Sequence, residues 1–343
     1  MRPVKLTAML LSVLLLCTGC VPTKPAQRQV FAMDTFMSFT AYGKGAEEAL
    51  AQAEEYIVQL EQDISVTRPD SDIAMLSRAG GTPVQVGGET YDLLTAALSL
   101  CEITGGALDI TAYPAVRAWG FTTGEHRVPD PEELTALTEK IDYTAIRMED
   151  ASRTVTLPQG MAVDLGAVAK GWAGDRLAYM LRQAGIDSAS LSLGGNIHTV
   201  GSKPDGSPWR VGIQDPNSDQ GAVLAVVEAV DAAVVTSGGY ERYFEQDGER
   251  YWHIIDPDTA APARSGVVSA TIVGPWGVDC DALSTALFVM GAEDAAHFWR
   301  AQTLDFEYVL ILEDGSLHIT QGLEHSFSLA DGYTDRKVTV ITP

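Results

Sequence analysis

Between residues 188 and 273 the chain strings together short strand patterns, at 189–193, 197–200, 209–213, 223–230, 233–236, 251–255 and 267–273. Glycine and turn residues separate them, so hairpin signals dominate the middle of the chain. Helical periodicity surrounds this block. Residues 45–64 place Ala49, Ala53, Tyr56, Ile57 and Leu60 on one face. Further helices are expected at 90–103, 129–137, 168–183, 279–290 and 293–302. Residues 31–42 read as a strand, 147–157 as a hairpin, and 308–312 and 337–341 as closing strands. Helices and strands alternate irregularly. That favours an α+β fold with mainly antiparallel sheets and flanking helices over a doubly wound parallel sheet. There is no internal repeat.

The start of the chain reads as an export signal. Arg2 and Lys5 precede an apolar run of eleven residues, 6–16, which is too short to span a bilayer as a helix. Cys17-Thr18-Gly19-Cys20 follows. The small residue before Cys20 fits lipoprotein processing with the lipid on Cys20, although Cys17 stands where leucine is usual. An ordinary secretory signal is the alternative. The expected organisation is a signal peptide over 1–19, a lipidated cysteine and polar tether over 20–29, and one large two-lobed domain over 30–343. The expected location is the extracytoplasmic face of the cell membrane, held by the lipid anchor.

The formal charge is −23. Loss of Arg2 and Lys5 with the signal would make it more negative still. Such a surface argues against nucleic acid as a partner, and a phosphate ligand would need a local lysine or metal to overcome the field. Cys101 and Cys280 lie in apolar helical contexts and are expected as buried thiols.

The chemistry concentrates in a few segments. In 163–175, Asp164, Gly166, Lys170 and Gly171 crowd a turn that leads into a helix. Such a turn suits a polyanion held by backbone N–H groups at a helix N-terminus, with the carbonyl near Ala167 free to face a cation. A plain strand-to-helix turn is the bland reading. Asp281 and Thr285 are four apart at the start of a helix, so their oxygens share a face. They suit a hard cation such as Mg²⁺, or equally a helix cap and a surface threonine. Residues 191–197 and 236–242 are glycine turns. His253 and Asp256 lie three apart, and His253 could serve as a base or as a structural strand histidine. Ala107-Leu108-Asp109 follows the Gly105-Gly106 break and could grip a heterocycle.

Taken in order, Met33-Asp34-Thr35, Ala107-Leu108-Asp109, 163–175, 191–196, 209–216, 236–244, 253–257 and 281–287 resemble the ApbE family, the FAD:protein FMN transferases. The resemblance implies a T-fold-like two-lobed domain. It implies Mg²⁺-dependent transfer of FMN from FAD to a threonine hydroxyl of a partner protein, with release of AMP. It also implies an exported acceptor such as an Rnf- or Nqr-type redox subunit. By motif, Mg²⁺ would meet Ala167, Asp281 and Thr285. FAD would meet Met33, Ala107, Leu108, Asp109, Asp164, Lys170 and Ile255. His253 is the candidate base, with Asp164 or Asp281 as rivals. Water in place of threonine would give an FAD pyrophosphatase. Loss of catalysis would leave a flavin-binding lipoprotein.

The chain departs from the family pattern at Asp34 and Ala260, where glycine is usual, at Thr67, where tyrosine is usual, and at Gly239. Residues 265–271 loosely echo the segment that such enzymes modify, so self-flavinylation at Thr271 stands beside a plain strand reading.

Overall fold

The computed structural model describes residues 24–218 and 221–343. Cys20 and the signal segment lie outside the described residues. A nine-stranded sheet forms the centre. Its spatial order is Ala26–Ala32, Thr35–Tyr42, Ser188–Leu193, Asn196–Val200, Ala233–Gly238, Val267–Gly274, Glu307–Leu312, Leu317–Thr320, Val338–Ile341. Neighbours pair antiparallel throughout except for the last two, which run parallel. The fold is therefore α+β with mainly antiparallel sheet, as the hairpin signals predict.

Helices Ala46–Ile64, Ala169–Gln183 and Gly277–Arg300 cover one face. A three-stranded sheet, Phe327–Leu329, Val223–Ala229 and Trp209–Gln214, covers the other face of the C-terminal half. Strand Glu307–Leu312 divides its side chains accordingly. Tyr308 and Leu310 pack among the helices, while Val309 and Ile311 pack on the small sheet. A strand covered on both faces reads as an unbroken apolar run, which is why 308–312 shows no alternation. In the N-terminal half the outer face stays open to solvent. There Val30, Ala32, Met37, Phe39 and Ala41 point inward, while Gln27, Gln29 and Ser38 point out.

Two helices are joined by reciprocal caps. Asp281, from the helix Gly277–Arg300, accepts the Gly171 N–H at 2.8 Å, in the first turn of Ala169–Gln183. Asp175, from that second helix, accepts the N–H groups of Gly277 at 2.6 Å and Val278 at 2.9 Å. Each carboxylate satisfies orphan donors at the other helix's N-terminus and meets the positive end of its dipole. The approach is close enough to require glycine. A Cβ on Gly171 would run into the Gly277 carbonyl, and a Cβ on Gly174 or Gly277 would run into the His198 ring. Beside this contact, Glu89 accepts from Tyr56 Oη at 2.7 Å and Trp172 Nε1 at 2.6 Å, tying three helices together.

Several expectations need correction. Residues 26–29 are strand, not tether. The pairing with Thr35–Tyr42 begins at Ala26 opposite Ala41, and Arg28 reaches Glu54 at 2.8 Å. The expected 31–42 strand is instead the end of Ala26–Ala32, a bend at Met33 and Asp34, both left-handed at φ 49° and 59°, and the strand Thr35–Tyr42. The helices expected at 279–290 and 293–302 form one run, broken at Gly291, where φ is 83°. The 251–255 strand splits between the hairpin Tyr243–Gln246/Glu249–Trp252 and the short pair Ile255–Asp256/Ala261–Pro262. Cys101 and Cys280 are free and buried, as expected.

The helix contact makes a direct prediction. Gly171→Ala should cost about 3 kcal/mol, since the added methyl meets backbone that cannot yield. Gly88→Ala, where only the Arg153 side chain comes near, should change stability by roughly 0.5 kcal/mol or less. Urea unfolding of the two variants checks the contrast.

Candidate active site

A cleft of about 840 Å³ opens where the first hairpin, the 107–113 loop, the 164–170 turn and the 236–255 segment converge. Met33, Ala107, Leu108, Asp109, Asp164, Ala167, Lys170, His253, Ile255, Asp281 and Thr285 all line it. The topology thus gathers every residue expected to meet FAD, Mg²⁺ or the reacting hydroxyl.

The 164–170 turn shapes one wall. Asp164 accepts the Gly166 N–H at 2.9 Å, and its own N–H bonds to the Ile110 carbonyl at 2.9 Å, which ties the turn to the 107–111 loop. Burial raises the Asp164 carboxyl above its ordinary range, opposed by the Gly166 N–H and the charges of Arg242 and Lys170. Lys170 Nζ lies 3.3 Å from the Gly166 carbonyl and 3.7 Å from Asp281 Oδ1. Asp109 is buried and accepts from Thr111 N at 2.8 Å, Thr111 Oγ1 at 2.6 Å and Tyr143 N at 3.0 Å. Its carboxylate is therefore a brace for its own loop. Burial again raises its pKa, against these donors.

Across the cleft, His253 is half-buried. Its Nδ1 is 3.3 Å from the Arg242 carbonyl. That contact is a hydrogen bond only when Nδ1 carries the proton, which leaves Nε2 as the acceptor. Burial, then the positive charge of Arg242, lowers its pKa to about 4. The imidazole is consequently neutral at physiological pH and able to take a proton.

The oxygen donors meet on the helix Gly277–Arg300. Asp281 is buried, with Oδ2 on the Gly171 N–H and Oδ1 facing Lys170. The Thr285 hydroxyl is one turn on, 3.3 Å from Ser237 Oγ, which itself bonds Ser284 Oγ at 2.7 Å. Among the described residues no group of three or more His, Cys, Asp or Glu side chains is placed to hold a metal. A cation here would take one carboxylate, one hydroxyl and the Ala167 carbonyl, with phosphate and water completing its shell. That sparse, all-oxygen set fits Mg²⁺.

Some lining residues received no role of their own from the sequence, although 237, 241 and 242 lie in its 236–244 segment. Ser237 lies on the strand Ala233–Gly238, Glu241 and Arg242 follow it into the cleft, and Phe31 and Phe121 stand at its walls. Glu241 is pushed up to about 7 by burial, with Lys170 and Arg242 opposing. Arg242 pairs with Asp34 at 3.0 Å across the rim. The departures at Asp34 and Ala260 fall on left-handed backbone, φ 59° and 53°, which explains why glycine suits both places. Thr271 is fully buried and bonded to Thr236 Oγ1 at 2.8 Å in the central sheet. It is a strand residue and cannot present its hydroxyl to the cleft.

Residues 33–310 match the ApbE family. A Treponema pallidum protein named FAD:protein FMN transferase is 37% identical over 303 residues, covering 83% of this chain and 84% of its own. A Vibrio cholerae protein of the same name is 33% identical over 316 residues, 89% and 93% of the two chains. The ApbE protein structure from Thermotoga maritima superposes with a TM-score of 0.82 at 31% identity, covering 87% of this chain and 98% of its own. The flavin transferase ApbE structure from Vibrio cholerae gives 0.75 at 29% identity, over 90% and 99%. Fold and cleft together are those of a flavin-transferase enzyme. The chain belongs to the ApbE family.

Asp281→Ala should destabilise the fold by about 2 kcal/mol, because it strands the buried Gly171 N–H, whereas Asp281→Asn keeps an acceptor there and should cost less. Urea midpoints of the two variants test this.

Proposed function

We propose that the enzyme transfers the FMN half of FAD to a threonine hydroxyl of an exported partner protein. The observation that supports this most is the convergence on one cleft of Lys170, the Asp281–Thr285 oxygen pair and a neutral His253. FAD would lie along Met33, Ala107, Leu108, Asp109 and Ile255, with its diphosphate toward Lys170 and the 164–170 turn. Ala167, Asp281 and Thr285 would hold Mg²⁺. When bound, the cation supplies charge neutralisation at the pyrophosphate. Lys170 adds a fixed positive charge beside it.

In the step itself, His253 Nε2 takes the proton from the incoming threonine hydroxyl. The threonine oxygen forms a bond to the FMN phosphorus as the pyrophosphate oxygen bond to AMP breaks. AMP leaves and the flavin stays phosphoester-linked to the acceptor. Asp164 shapes the phosphate turn through Gly166 and is the rival base.

We place the protein on the extracytoplasmic face of the cell membrane, lipid-anchored at Cys20. The signal-like residues before Cys20 support this. No helix among the described residues is long and apolar enough to cross a membrane. An Rnf- or Nqr-type redox subunit is the kind of acceptor this location would offer.

The test is mass spectrometry of an acceptor domain, carrying threonine in an exposed Ser/Gly/Ala/Thr-rich segment, after incubation with enzyme, FAD and Mg²⁺. An added FMN that disappears with EDTA supports transfer. Free FMN and AMP without the adduct would mean hydrolysis, and intact bound FAD would mean a flavin carrier. Replacing His253 by Gln should lower kcat by roughly 10² to 10⁴-fold. Because the free base titrates at about 4, kcat/KM should hold as pH falls through 6.5 and drop only as pH approaches 4. An acid limb centred near 6.5 would remove His253 from that role.

A further inference from the structure

The outer face of the first hairpin is polar except at one place. Phe31 and Phe36 stand opposite each other across the two strands, with ring centroids 5.0 Å apart and planes at 67°. They are 59% and 77% exposed, while Phe39 on the inward face is fully buried. No neighbouring element among the described residues covers the pair. Two large aromatic rings left in water beside Gln29 and Ser38 contribute nothing to the core, and such a patch marks a contact surface. Its position is specific. Phe31 also lines the cleft, and the turn that links the two phenylalanines carries Met33 and Asp34 into the cleft wall.

The strand that bears Phe31 is also the edge of the nine-stranded sheet. Among the described residues no strand pairs with the far side of Ala26–Ala32, so one row of its backbone groups is open to an added strand. The open edge and the aromatic pair both run out at the cleft.

We propose that this edge and the Phe31–Phe36 pair dock the acceptor protein, whose hydroxyl-bearing segment adds along Ala26–Ala32 in extended form. The inference rests on the transferase reading, which requires a polypeptide to reach the cleft while FAD occupies it. Main-chain pairing holds such a segment with little demand on its side chains, and an aromatic anchor adds affinity. The acidic surface favours a segment of neutral or basic character. A lipid surface is the rival occupant of exposed phenylalanines. It fits less well, because Ala26, where the described chain comes in from the N-terminal side, lies at the end of the strand away from the pair.

The experiment uses Phe36→Ser, which lies outside the cleft lining and is exposed enough to leave the core intact. Three quantities are read with wild type and variant: FAD affinity by flavin fluorescence, affinity for the labelled acceptor domain by anisotropy, and transfer kinetics by mass spectrometry. The expected result is a rise of roughly tenfold in acceptor Kd and KM, with FAD affinity and kcat unchanged. An unchanged acceptor Kd and KM overturns the docking surface while leaving transfer in place. So does a loss of binding to phosphatidylglycerol/phosphatidylethanolamine vesicles with acceptor affinity intact. If wild type binds the acceptor through Phe36 yet adds no FMN, docking stands and the transferase reading falls.

Discussion

Everything at the site depends on two carboxylates, each capping the other's helix. Asp175 and Asp281 sit on different helices, and each closes the N-terminus of the helix it does not belong to. This fixes the separation and rotation of the two helices. The glycines at 171, 174 and 277 let the backbones and the His198 ring come together without a side chain between them. Asp281 thus serves structure and site at once. One oxygen holds the Gly171 N–H, and the other is left toward Lys170 and the cleft. Burial raises Asp175 to about 7 against the two N–H groups it accepts and lowers His198 to about 4. Uncharged imidazole is what so tight a seat between helices tolerates.

The cleft solves an electrostatic problem set by the whole chain. A protein of formal charge −23 repels a diphosphate at long range, so attraction has to be local. Lys170 and Arg242 both line the cleft and supply positive charge there, and in the proposed site the Asp281–Thr285 pair would offer oxygen to a cation that adds more. Acidic groups in the cleft are restrained by the same burial. Burial raises both Asp164 and Glu241, with Lys170 and Arg242 opposing.

Much of this could be read from the chain. Strands with one wet face or with turn-bounded apolar runs declared themselves, as did the helix after the 164–170 turn. The eleven expected site residues came from motifs that resemble the ApbE family, and all eleven line the cleft. Four kinds of feature were not legible. The strand at 26–29 hides because its inward positions hold Ala26 and Arg28, neither of them a large apolar residue. The bend at Met33-Asp34 lacks the glycine that marks such turns. Arg242 and Glu241 look like any solvated pair after a glycine turn, since nothing local tells a ligand face from a solvent face. Above all, the contact of Asp175 with Gly277 spans 102 residues, and no local pattern encodes a pairing of that range.

In the proposed reaction a cation and a diphosphate meet at the seam of the two capped helices. Anomalous diffraction from crystals soaked with FAD and Mn²⁺, used in place of Mg²⁺, would locate both. One strong peak within reach of Asp281, Thr285 and the Ala167 carbonyl, with the FAD diphosphate toward Lys170, is the expected result. A cation bound elsewhere, or a diphosphate turned away from Lys170, would contradict it.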